Sequence, residues 1–435
     1  MQDTDDRNFR LRERRLLHLS DRPFAAIHGA MKKGLSDLPT ERPRIPRTVW
    51  ALGLVSLFMD VSSEMIHALL PLFLTASLGA SVALVGLIEG VAESTAAIVK
   101  VFSGYLSDRL GRRKPLILIG YALGAVSKPF FALAGAPAMV FTARFADRIG
   151  KGMRGAPRDA LVADVTPEAI RGRAYGLRQA MDTVGAFVGP LLAIALLTLF
   201  ANDMRMVFWF AVIPGALAVL CVLLGVEDRV SGTDEEVARP PIRWRDLRRL
   251  DRAYWVVVVI GVVFTLARFS EAFLVLKTHE AGLPLALAPL GLVVMNVVYA
   301  VGAYPAGAWS DSAHPSTLLL CGLGTLMGAD LTLAIAPGVW GALAGIALWG
   351  LHLALTQGLF SKLVAERAPE MLRGSAFGLF NLATGLAMLV SSLLAGLVWD
   401  RAGAAATFVV GAIFAGLAAV LLGAFALKRA ARDPS

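Results

Sequence analysis

The sequence predicts an all-α integral membrane protein of twelve transmembrane helices, arranged as two pseudo-symmetric six-helix bundles. Three observations predict it. The 435 residues are 56% hydrophobic and only 17% charged, whereas soluble domains carry about 25% charged residues. The apolar residues come in blocks of twenty or more, roughly what one helix needs to cross a ~30 Å hydrocarbon core. Landmarks of the first half recur in the second at an offset near 202.

The blocks place the spans in order. Span 1 is expected over 49–75, span 2 over 81–106, span 3 over 115–133 and span 4 over 138–163. Span 5 is expected over 174–200, span 6 over 206–226, span 7 over 254–276 and span 8 over 285–309. Spans 9 to 12 are expected over 316–336, 339–365, 374–399 and 403–427. Helices are required because a lipid-embedded backbone must satisfy its own hydrogen bonds.

Charge sets the expected orientation. With the N-terminus inside, the cytoplasmic segments hold 29 of the 42 Lys and Arg residues, and the external loops only Arg205, Lys277 and Arg401. The positive-inside rule then puts both termini in the cytoplasm. The formal charge of +9 is thereby topology, and nucleic acid is not an expected partner. The organisation follows: a basic tail over 1–47, a six-helix bundle over 48–226, a polar central loop over 227–252, a second bundle over 253–427 and a short tail over 428–435. The stretch Arg10 to Leu35 is either an amphipathic surface helix or a disordered basic tail. Trp244 to Arg252 reads as a short surface helix. No cleavable signal peptide is visible in the polar first 47 residues. Cys221 and Cys321 both sit in apolar spans, so no disulfide framework is expected.

The repeat is carried by specific residues. Residues 164–179 read DVTPEAIRGRAYGLRQ and residues 366–381 read ERAPEMLRGSAFGLFN, with Pro, Glu, Arg, Gly, Ala, Gly and Leu in register. Ser107-Asp108 matches Ser310-Asp311, and Ser63-Glu64 matches Ser270-Glu271. Parallel repeats of this kind build a cavity between two halves that rock about it.

One loop then carries a family resemblance. Gly104-Tyr-Leu-Ser-Asp108-Arg109-Leu-Gly111-Arg112-Arg113-Lys114 resembles the span 2–3 loop signature of the major facilitator superfamily, with a degraded copy at Gly307 to Ser312. The resemblance covers spans 1 to 12 and implies the fold of that superfamily. It also implies a secondary transporter working by alternating access, with this loop latching the cytoplasmic side of the outward-open state. Asp108 is expected to pair with Arg109 or Arg112, or to face a helix N-terminus of the other half. The alternative is a plain topology anchor. In span 5, Gly185-Ala-Phe-Val-Gly189-Pro190 resembles the superfamily's antiporter motif, although Ala193 and Ile194 stand where that motif ends in glycines. Gly185 and Gly189 also form a small-residue face suited to close helix packing.

Ionisable groups in hydrocarbon are costly, so each is a candidate site. Asp60, Glu64 and His67 share one face of span 1. They read as proton carriers, as part of a metal shell too incomplete to expect a metal, or as a structural pair with a span 4 arginine. Glu89 and Glu93 of span 2 rank lower, Glu89 as a solvated group nearer the outside. Span 4 holds Arg144, Arg148, Lys151, Arg154 and Arg158 against Asp147 and Asp159. Asp147 is expected to pair locally with Arg144 and Lys151. This span reads either as a network coupled to the span 1 acids or as a binding site for an anion. Arg178 with Asp182, and Arg268 with Glu271, are further cavity candidates. Lys128, Asp330, His352, Gln357 and Asn381 complete the set.

No phosphate-binding loop, zinc motif or nucleophile elbow appears where it could work, so an enzyme is not expected. The expectation is a monomeric inner-membrane transporter of a small solute, with an anionic one admitted by the span 4 cations, with no cofactor and the proton gradient as energy source. Efflux is favoured. Uptake of an anionic solute or metal chelate is the first alternative, and a transporter-like sensor or scaffold the second.

Overall fold

The computed structural model describes residues 44–228, 250–356, 358–369 and 372–430. Most of both tails and most of the central loop, with Arg10 to Leu35, the start of the Trp244 segment and Gln357, lie outside the described residues. Those described form helices joined by short turns, without a strand.

Ten of these helices are long and apolar enough to cross a membrane. Two expected spans are absent from the ten as separate helices, for physical reasons. Span 4 is a continuous helix, Pro137–Val165, but its charges lower its hydropathy. Spans 11 and 12 form one run, Arg373–Ala430, whose helical geometry fails at Gly403, with φ 84° and ψ 172°. A side chain at such a φ would be strained, so glycine makes this bend between the two helices.

The remaining spans lie within a few residues of expectation. Span 1 comprises Arg47–His67, Leu70–Leu72 and a π-turn at Phe73–Ser77; span 2 is Val82–Leu110 and span 3 Lys114–Leu133. Span 5 is Arg171–Leu199, span 6 Met204–Gly225, span 8 Leu290–Ser312 and span 9 Pro315–Ile335. Span 10 runs as Gly338–Thr356 and Leu359–Arg367, turning at Gly358 with φ 76°. Span 7 is broken into Arg252–Ala267 and Ala272–Glu280. Side chains cover part of the break: the Ser270 amide donates to Ser392 Oγ at 3.2 Å and the Ala272 amide to Ser270 Oγ at 3.3 Å. Irregular backbone at this depth is tolerated where it is buried in protein or lines a cavity.

Contacts between the halves are made by span 2 with span 11, span 5 with span 8, and the end of span 1 with the second piece of span 7. They cluster toward the end where span 2 begins and span 11 finishes. Asp400 there accepts from the Val82 and Ala83 amides at 3.0 and 2.8 Å, capping span 2 from the opposite half. Gly86 lies against the Ser392 carbonyl, and a Cβ at Gly396 would come within 2.5 Å of the Val82 carbonyl. The glycines let the two backbones meet almost directly.

Candidate functional site

The site is built first from spans 1, 2 and 4. Glycines bring their backbones together: a Cβ at Gly152 of span 4 would stand 2.8 Å from the Ala96 carbonyl of span 2, and Ser103 Oγ donates to the Gly152 carbonyl at 2.8 Å. Gly150 meets span 3 in the same way, 2.5 Å from the Gly120 carbonyl. These span 4 glycines therefore serve helix packing. The close approach allows charged side chains to reach between helices, so that each buried charge finds a partner.

A chain of alternating charges results. Glu64 Oε2 lies 3.4 Å from His67 Nδ1, and His67 Nε2 lies 3.5 Å from Glu89 Oε2. Arg144 donates to the same Glu89 oxygen at 2.7 Å. Arg144 also approaches Asp147 at 4.0 Å, and Lys128 donates to Asp147 at 2.8 Å and to Ser63 Oγ at 3.0 Å. Arg148 lies 3.2 Å from Glu93 and 3.5 Å from Asp147.

Three expectations are corrected here. Glu89 is not solvated; it is 1% exposed and paired with Arg144, which is 2% exposed. Asp147 does not pair with Lys151, because Lys128 of span 3 and Arg148 occupy its oxygens. The span 1 acids do not all share one environment: Glu64 and His67 join the chain above, whereas Asp60 packs against Gly185 of span 5, three residues from Asp182.

Asp60 belongs to a second cluster. Arg158 donates to Ser56 Oγ at 3.0 Å and to the Tyr121 hydroxyl at 3.4 Å, and lies 3.3 Å from Asp159 and 3.8 Å from Asp182. Arg178 lies 3.7 Å from Asp182 and 3.9 Å from Asp159. Arg154 stacks over the Tyr121 ring at 4.6 Å from its centre. Arg158 is thus held inside the bundle by partners from three other spans.

The first chain opens onto a cavity of about 170 Å³ between the halves, lined by Glu64, His67, Glu93, Arg148, Lys151 and Arg268, with Phe269, Ser270, Glu271 and Met388 completing it. The break in span 7 supplies four of these residues. Its Phe269 is fixed by Phe273, Trp349 and Phe408, with ring centres 5.2, 5.5 and 5.6 Å away. Arg268 and Glu271, three residues apart, both face the cavity but form no ion pair within 4.0 Å among the described residues. Of the repeated Ser-Glu pairs, Glu64, Ser270 and Glu271 line this space, whereas Ser63 accepts from Lys128.

The span 5 motif packs onto the acids. A Cβ at Gly185 would lie 2.9 Å from Asp60 Cβ, and one at Gly189 would lie 2.6 Å from Glu64 Cβ. Pro190 sits inside the continuous helix of span 5.

The span 2–3 loop corrects a further expectation. Asp108 pairs with Arg113, not with Arg109 or Arg112, both of which are exposed. Gly111 ends span 2 in the left-handed conformation at φ 62°, and the chain reversal brings Arg113 back over the helix end. Arg113 also reaches Asp164 at 3.2 Å, donates to Ser107 Oγ at 2.7 Å, and its amide donates to Asp228 at 3.1 Å. Burial works against the Arg113 charge, but Asp108 and Asp164 outweigh it and push its pKa above the ordinary arginine value.

Comparison with known proteins agrees with this architecture. The family model of the Major Facilitator Superfamily matches residues 52–296 and 272–435. An uncharacterized MFS-type transporter of Methanocaldococcus jannaschii is 28% identical over 87% of this chain and 94% of its own length. The inner membrane transport protein YajR of Escherichia coli is 24% identical over 85% of this chain and 81% of its own. The multidrug resistance protein MdtH of Photorhabdus laumondii is 27% identical over 57% and 60%. Among solved structures, a POT family transporter in complex with a thioalcohol-conjugated peptide superposes with TM-score 0.75 at 12% identity, covering 88% of this chain and 96% of that one. The human organic anion transporter MFSD10 superposes with TM-score 0.64 at 19% identity, covering 88% and 100%. The chain belongs to the Major Facilitator Superfamily and is a multi-pass membrane transporter.

Proposed function

We propose that this chain is a proton-coupled secondary transporter that moves a small solute through the cavity between its halves by alternating access. One observation carries the reading. The cavity-lining residues Glu64, His67, Glu93 and Arg148 join a buried chain of alternating charges running through Glu89, Arg144, Asp147 and Lys128. A proton arriving at Glu64 or His67 changes the partner that each neighbour prefers, so protonation and helix arrangement are linked. Asp60, packed on span 5 at Gly185, and Asp182, beside Arg158 and Arg178, supply two further carboxyls for the proton path. The span 5 glycines press on span 1 beside both acids, so a change there is transmitted to span 5 and, through it, to span 8.

In this reading the protein lies in the inner membrane as a monomer with both termini cytoplasmic, and the end closed by Asp400 and Val82 faces outward. The cavity is then accessible from the cytoplasm. The Asp108–Arg113 pair stays within its own half, as expected of a latch that is not engaged. Efflux is the favoured direction, supported by the span 5 motif and by similarity to a multidrug resistance protein. Uptake of an anionic solute is the second reading, supported by the unpaired cations of the cavity and by the fold shared with an organic anion transporter.

The test is proton movement in proteoliposomes carrying an interior pH dye, challenged with a solute library. At least one solute should drive proton flux in the wild type. None should in Asp60→Asn or Glu64→Gln, although both variants insert and remain folded. Undiminished flux in both variants contradicts the assigned proton path. Absence of flux for every solute contradicts transport itself and favours a sensor.

A further inference from the structure

Which solute the cavity accepts can be argued from the charges left over when the ion pairs are assigned. This step rests on the transport reading above. Around the cavity and its network stand five carboxylates, Glu64, Glu89, Glu93, Asp147 and Glu271, and five permanent cations, Lys128, Arg144, Arg148, Lys151 and Arg268. Two carboxylates hold buried cations directly: Glu89 takes Arg144 and Asp147 takes Lys128. At the cavity wall Glu93 takes Arg148, and Glu64 takes His67.

Three wall charges remain. Lys151, Arg268 and Glu271 line the cavity, and none makes an ion pair within 4.0 Å among the described residues. Lys151 belongs to the first half, and Arg268 and Glu271 to the second. Arg268 is a half-buried cation without an ion-pair partner, which is unfavourable, and Lys151 is an exposed cation lining the same cavity. An acid group between them satisfies both. Glu271 is left to take a cationic amine on the same solute. The cavity volume sets the size: about 170 Å³ is below the roughly 300–1,000 Å³ of drug-sized pockets.

We infer that the transported solute is a small zwitterion of amino-acid dimensions, its acid group held between Lys151 and Arg268 and its ammonium group on Glu271. The arrangement also explains why binding would favour closure. With the acid group present, Lys151 and Arg268 draw the halves together around it.

The experiment compares four probes of similar size on the purified full-length protein: γ-aminobutyrate, butyrate, butylamine and butanol. Thermal stabilisation and direct binding are the readouts. The expected order is γ-aminobutyrate first, butyrate weaker, and no binding of butylamine or butanol. Lys151→Gln and Arg268→Gln should each weaken γ-aminobutyrate binding at least tenfold, and Lys151→Arg should restore most of it. Glu271→Gln should weaken γ-aminobutyrate while leaving butyrate unchanged. Preference for butylamine or butanol, unchanged binding in both glutamine variants, or no response to any probe would overturn the inference. Proton-linked flux of a solute from another charge class would overturn it too, while leaving the transport reading standing.

Discussion

Gly189 of span 5 lies so close to Glu64 of span 1 that a single added carbon at position 189 would come within 2.6 Å of the Glu64 Cβ. The neighbouring Val61 carbonyl and Met65 amide stand at 3.1 and 3.2 Å from the same point. The span 5 motif therefore fixes where the span 1 acid sits. Gly189→Ala should lower the thermal midpoint and reduce flux, and Gly189→Leu should abolish flux. Overpacking costs about 1–3 kcal/mol, so the alanine variant should still be recoverable from membranes. Full activity in Gly189→Leu would show that Glu64 position is irrelevant to transport.

The Glu89–Arg144 pair is buried on both sides, with a 2.7 Å hydrogen bond. Removing one partner leaves a charge alone in an apolar region, at a cost of about 3–5 kcal/mol. Glu89→Gln and Arg144→Met should each destabilise strongly, and the double variant should recover part of the loss. Unfolding in mixed detergent across the four proteins gives the coupling. Simple additivity would mean that the two side chains do not act as a pair.

Asp330 of span 9 poses the opposite case. It is fully buried, neither carboxyl oxygen has a hydrogen-bond partner among the described residues, and a Cβ at Gly411 of span 12 would sit 2.6 Å from it. Replacing an unsatisfied polar group by an apolar one of similar shape is nearly neutral or stabilising. Asp330→Leu should therefore unfold at the same or a higher temperature than the wild type. A clear loss of stability would reveal a partner for this carboxyl.

Closure at the Val82–Asp400 end depends on bare backbone contact. Gly396→Leu should force spans 2 and 11 apart there, because its Cβ alone would meet the Val82 carbonyl at 2.5 Å. In a background lacking Cys221 and Cys321, a cysteine at Ser270 should then react faster with a membrane-impermeant maleimide added from that end. An unchanged rate would place the barrier elsewhere.

Much of the fold was legible because lipid imposes length and polarity on every span. Span 4 was readable as a span despite its charges, and it is the continuous helix Pro137–Val165. The site was legible in its ingredients more than in its pairing. Glu64, His67, Arg148, Lys151, Arg268 and Glu271 stand out as charges in apolar runs, and the fold brings them around one cavity. Spacing along one helix suggested Asp147 with Lys151, whereas the real partner, Lys128, comes from another span. Glu89 was underrated because depth along a helix says nothing about what packs beside it. Asp108 misled for a related reason: the turn at Gly111 decides which arginine returns to it. Phe269 carries no mark in the sequence, because the break in span 7 contains neither glycine nor proline, Ser270 was marked only through the repeat, and Met388 is one apolar residue of span 11 among many.

Spin-label distances measured at both ends of the molecule test the account most directly. One pair, at Asn202 and Arg401, reports the end closed by Asp400, and a second, at Arg173 and Lys362, reports the other. Both belong in the full-length protein without Cys221 and Cys321, in lipid nanodiscs, at acidic and alkaline pH, with and without γ-aminobutyrate. Alternating access coupled to protons predicts that the first distance lengthens as the second shortens, with a balance set by pH, and that Glu64→Gln loses the pH dependence. Distances that stay fixed at both ends, or a pH response retained in Glu64→Gln, would contradict it.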